Sequence, residues 1–207
     1  MQWSPSRVAV AEDLLREDSS QAGRASWARW AREVLEEMAL LPLADEPLTG
    51  RCRGFRVLCA PTFHARCCVT LYDLDGLGEV YCVHGYPGRF MEVRAEVPAD
   101  QLDALRDELL RLEPAALEDA IDEGGRDGMV LHGEIHGDEL AHSWHVLTVA
   151  ADGPMPRHHH YCTLLLGSIA ERTADAALRE LVGAIRYYLR PLESPSLRGS
   201  TDNETRR

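Results

Sequence analysis

The sequence contains no lysine: all 22 basic residues among its 207 are arginine. Schiff-base catalysis and the phosphate-loop motif G-x-x-x-x-G-K-[ST] both need a lysine amine, so pyridoxal-phosphate enzymes, Schiff-base aldolases and Walker-type NTPases are excluded. Asparagine is reduced to Asn203, and the two scarcities together fit a GC-rich coding bias. No apolar run approaches the roughly 18 to 20 residues that a spanning helix needs. Met1 to Arg16 carries acids where a signal peptide has its apolar region, so a cytoplasmic protein is expected. The G-x-S-x-G elbow of serine hydrolases is missing, and so is the strand, glycine-rich turn and helix order of a dinucleotide fingerprint.

The six cysteines form no C-x-x-C pair. Cys52 and Cys59 are seven apart, Cys67 and Cys68 are adjacent, and Cys82 and Cys162 stand alone. The paired ligands of a zinc ribbon are therefore absent, and the thiols read as reduced, small core residues. On a strand Cys67 and Cys68 face opposite ways, so at most one of them is expected in the core. Cys68, close to Arg66, is a candidate activated thiol, because a cation stabilises thiolate.

What the chain has in excess is acid. Its 34 acidic residues against 22 basic ones give a formal net charge of -12. The imbalance concentrates between Glu92 and Asp127, where twelve Asp or Glu face four Arg. Such a surface repels phosphate backbones and anionic lipid, which argues against nucleic-acid and membrane partners. It suits association with a basic protein. Asp103, Asp107, Glu108, Glu118, Asp119, Asp122 and Glu123 are the candidate partner-binding residues.

The apolar pattern divides the chain. Trp27, Trp30, Val34, Met38 and Leu41 recur at helical spacing up to Pro42, with Ser26 as the expected N-cap, and a shorter helix is expected near Val8 to Arg16. The period then changes to two in Phe55–Cys59, Cys67–Leu71, Val80–Cys82 and Met91–Val97, separated by Pro and Gly turns, which predicts a four-strand meander. Leu102, Leu105, Leu109 and Leu112 mark a helix over Ala99 to Leu112, and a short second helix is expected from Pro114 through Ile121. Met129 to His136 and Glu139 to Val149 read as a hairpin turning at Gly137 and Asp138. Helices near His158 to Arg172 and Ala174 to Leu189 follow. The composition after Pro191 predicts a disordered tail over residues 191–207. The expected fold is α+β: one domain over residues 1–190, with an antiparallel sheet of about six strands packed against N- and C-terminal helices.

The hairpin carries the most suggestive chemistry. With a turn at Gly137 and Asp138, His136 pairs with Glu139, Glu134 with Ala141, His132 with Ser143 and Val130 with His145. One face then collects His132, Glu134, His136 and His145, and the other, with Met129, Leu131, Ile135, Trp144 and Val146, is the natural core side. The histidine face is expected to be wet. Same-face neighbours about 6.6 Å apart can share a metal, and on a helix His158 and Cys162, four apart, share a face as well. His132, Glu134, His136, His158 and Cys162 are thus the candidate ligands of a zinc site.

The favoured expectation is a non-enzymatic, immunity- or inhibitor-like factor that engages a basic protein partner without a cofactor. The alternatives are a zinc-dependent hydrolase or metal sensor built on the hairpin, and a structural subunit of a larger assembly.

Overall fold

A computed structural model describes residues 21–48, 52–62, 64–120, 128–137, 140–149 and 156–189. The chain runs through helix α1 (Gln21–Glu37), a 3-10 turn (Leu43–Asp45), strands β1 (Arg53–Pro61), β2 (Arg66–Asp73), β3 (Gly78–Tyr86) and β4 (Arg89–Val97), and helix α2 (Ala99–Arg111). A second 3-10 turn (Pro114–Ala116), strands β5 (Gly128–Gly137) and β6 (Leu140–Val149), and helices α3 (Pro156–Ala170) and α4 (Ala176–Tyr188) complete it. The six strands form one antiparallel sheet in the order β4-β3-β2-β1-β5-β6, so the late hairpin joins the meander alongside β1. The α+β expectation describes this architecture. The expected Val8–Arg16 helix and the tail over 191–207 lie outside the described residues.

Both faces of the sheet are covered. On one, Phe55, Val57, Cys59, Val69, Val80, Leu131 and Val146 pack against Leu102 and Leu109 of α2, Leu165 and Ile169 of α3, and Leu178, Val182 and Ile185 of α4. On the other, Leu58, Cys68, Tyr81 and Val83 pack against Val34, Leu35 and Met38 of α1. Two-sided covering is why β1 and β2 read as nearly continuous apolar runs rather than alternating ones. It also buries both Cys67 and Cys68, against the expectation that only one could be inside.

Three local expectations are corrected. Helix α1 begins by Gln21, so Ser26 lies within it, where Oγ accepts from Arg29 Nη2 at 3.1 Å, and Leu41 is 55% exposed beyond the helix end. The segment after Pro114 makes only a single 3-10 turn before extending, and Ala120 bridges Val146 in parallel, because the outer edge of β6 takes up its backbone groups. The hairpin register differs by two residues: His132 faces His145 and Glu134 faces Ser143, while Gly137 pairs with Leu140. Gly137 belongs in the ladder because it lies against β1, where a Cβ would stand 2.7 Å from the Cys52 carbonyl oxygen.

Candidate functional site

The α1-side face of the sheet carries a row of buried charge. Arg56, in the middle of β1 and wholly buried, directs every guanidinium nitrogen at an acceptor. Nε donates to Thr70 Oγ1 at 2.8 Å, Nη1 to the Leu41 carbonyl and to Glu134 Oε2 at 3.2 Å, and Nη2 to Glu46 Oε1 at 2.6 Å and to Tyr72 Oη at 3.3 Å. Burial of this cation is tolerated because its five donors are satisfied and two carboxylates face it.

Glu134 extends the row. Its Oε2 also accepts from the Leu43 N–H at 3.3 Å, and Oε1 lies 3.4 Å from His132 Nε2. Burial raises the carboxyl pKa, but His132, Arg56 and the Leu43 N–H outweigh it and hold the group below its usual range. His132 stacks on His145 with ring centroids 4.6 Å apart and planes 28° apart. Beyond the stack, His145 Nδ1 lies 3.2 Å from Asp119 Oδ1, which also accepts from the His145 backbone N–H at 2.8 Å. Burial pushes the Asp119 carboxyl up, and His145 together with Arg24, 3.6 Å away, more than reverses this.

The stack follows from the register. The His145 N–H and carbonyl both turn outward, to Asp119 and to the Ala120 N–H, so His145 and His132 form a non-hydrogen-bonded pair, in which facing side chains approach most closely. Seen end to end, Glu46, Arg56, Glu134, His132, His145, Asp119 and Arg24 make a chain of acids and bases that alternate except at the stacked His132 and His145 pair. A cleft of about 410 Å³ opens above its middle, between α1, the first 3-10 turn and the hairpin. Ala28, Ala31, Ala44 and Ala141 keep it open, Arg29 and Arg32 border it, and His132 and Glu134 reach it from the sheet.

The structure relocates the predicted ligands. The histidine face is buried, with His132 and His145 each 4% exposed, because α1 lies over it. His158 and Cys162 are on the opposite side of the sheet. His158 packs edge-on against Trp144 and its Nε2 meets the Glu118 carbonyl at 3.0 Å, while Cys162 is fully buried in the larger core. His136 shares the face of His132 but lies about 13 Å along the strand. Even the His132 and His145 pair, with Nδ1 of one and Nε2 of the other unpartnered, is stacked, whereas a shared ion must lie near both ring planes. Among the described residues no group of three or more His, Cys, Asp or Glu is arranged to hold a metal ion, so the donor set does not fit zinc.

Ser143 faces Glu134 rather than His132, so the expected cross-strand pair of His132 with Ser143 is not formed. Cys68 is no activated thiol: burial pushes its pKa up to about 12, although Arg56 opposes the shift. Of the acids, Asp103 and Asp107 are 64% and 62% exposed on α2 and flank Arg106. Glu108, 40% exposed, meets His160, and Glu118 is exposed. Asp119 turns inward to His145, and Asp122 and Glu123 lie outside the described residues. The residue missed from sequence was Arg56, whose signal was present: one charge inside the apolar run Phe55 to Cys59. Compared with protein-family models and with curated proteins, the chain matches none.

Proposed function

We propose that this protein is a non-enzymatic binding factor whose acidic helix α2 engages a basic protein partner. The observation that carries the reading is the outward face of α2, where Asp103 and Asp107 point to solvent and half-buried Glu108 meets His160 at its border, while the leucines of the same helix are held in the core. Arg106 is drawn inward to Asp73, at 3.1 Å, and so offsets the outer acids only in part. The face steers a cationic partner and supplies ion pairs once it docks.

The test is the binding of an immobilised arginine-rich peptide, with a glutamate-rich peptide of equal length as control. The arginine-rich peptide is expected to bind at low salt and to be released as salt rises. The triple variant Asp103→Asn, Asp107→Asn, Glu108→Gln is expected to weaken binding about tenfold, from three exposed pairs of about 0.5 kcal/mol each. Equal binding by the triple variant would remove the reading.

A further inference from the structure

The two edges of the sheet are treated differently. The outer edge of β6 is covered where Ala120 exchanges backbone hydrogen bonds with His145 and Leu147. The outer edge of β4 has no such cover: among the described residues, the sheet ends there, and no backbone group outside the sheet pairs with it. The strand is nine residues long, Arg89 to Val97, with no proline within it. A long strand with a bare edge is a template for a further strand.

Its side chains say which strand. On the α1 side of the sheet β4 presents Phe90, Glu92, Arg94 and Glu96, and on the other side Met91, Val93 and Ala95. We infer that β4 pairs antiparallel with β4 of a second copy about a twofold axis at Val93, making one continuous sheet through both chains. In this register Arg94 faces the partner's Glu92, and Glu92 faces the partner's Arg94. Val93 meets the partner's Val93, and Met91, 51% exposed in the single chain, meets the partner's Ala95. Every contact occurs twice, as a twofold interface requires.

Charge fixes the register. Sliding one strand by two residues, the smallest shift that keeps both sets of side chains on their faces, sets either Glu92 against the partner's Glu92 or Arg94 against the partner's Arg94. Arg94 is pre-placed for the role: its guanidinium lies 4.3 Å over the Tyr81 ring and 3.1 Å from Glu79, and the side chain remains 60% exposed. The inference does not depend on the reading of α2, because β4 uses other side chains.

The test is sedimentation equilibrium of the full chain over a micromolar to sub-millimolar dilution series, comparing wild type with Glu92→Arg, Arg94→Glu and the double exchange. Wild type is expected to approach twice the 23.1 kDa chain mass. Each single exchange places two like-charge pairs at the axis and is expected to weaken the dimer about tenfold or more, and the double exchange to recover it. Glu92→Arg keeps the Arg94 contacts within the chain and removes the Glu92 contact to the Tyr81 hydroxyl, so circular dichroism and the recovery in the double exchange separate an effect on folding from one on pairing. A monomeric wild type throughout, or a dimer indifferent to both single exchanges, or a double exchange no better than either single one, would overturn the inference.

Discussion

At the scale of single residues, the energetics centre on Arg56. It sits between Glu46 and Glu134 with no exposure, so removing the guanidinium strands two carboxylates against each other in a low-dielectric setting. Arg56→Met is expected to cost about 3–5 kcal/mol in urea unfolding. His145 sets a pH dependence of its own. Burial holds its pKa below the usual 6.5, with a further push from His132, despite the opposing Asp119. The unfolded chain therefore takes up this proton more readily than the folded one, and stability is complete above pH 6.5 and falls as pH drops below it. Asp119 and Glu134 are held below their ordinary values of 3.8 and 4.5, so their contribution persists above those values and is lost only at lower pH. Acid unfolding should accordingly show two stages. His145→Gln should shrink the upper one, to which His84, His158 and His159, also held below 6.5 by burial, contribute. It should also reduce the Asp119 part of the lower one, because His145 is what chiefly holds that carboxyl down. The thiols give a third check: native alkylation read by mass spectrometry is expected at half-buried Cys52 and not at the five buried cysteines. Labelling of Cys68 without unfolding would contradict the closed α1 face.

At the scale of elements, the β5–β6 hairpin shows how a sheet fixes its own register. Trp144 lies flat over Gly133, where a Cβ would stand 2.1 Å from the indole ring. The glycine is therefore a seat for the indole, which also meets Tyr161 edge-on at 5.7 Å. Gly133→Ala is expected to destabilise by about 3 kcal/mol or more, seen as a lower midpoint in chemical denaturation. The helices were legible by their apolar period and the strands by apolar runs set between Pro and Gly turns, and α2, α3 and α4 lie within a few residues of their expected bounds. The register was not legible, since pairing His136 with Glu139 and pairing Gly137 with Leu140 keep the same side chains on the same faces. The seating of Trp144 on Gly133 and the approach of Gly137 to the Cys52 carbonyl belong to the observed register.

At the scale of the whole molecule, the sheet has a protected centre and two unequal edges. β1 lies between β2 and β5 with helices on both faces, so its amides should be the slowest to exchange with deuterium. β4 should be the fastest-exchanging strand in dilute solution, and its protection should rise with protein concentration if its edge is taken by a second copy. The acids divide by the same geometry. Asp103 and Asp107 on α2 face solvent, whereas Asp119, near in sequence, turns inward to His145. A count of charges along the chain could not separate them.

The sequence by itself determined the principal helices and strands, the α+β class, the acidic composition and the exclusion of chemistries that need a lysine. Those properties depend on residue type and on spacing within one element, where apolar period and turn chemistry act locally. Which face of the hairpin is wet was decided only when α1 folded over it, turning a polar strand face into a buried acid–base row. Whether the candidate ligands meet was decided by the sheet, which puts His132 and Glu134 on one side and His158 and Cys162 on the other. The deciding contacts join residues remote in the chain, such as Arg56 with Glu134 and His145 with Asp119, and no local pattern encodes which of many buried polar groups will find each other.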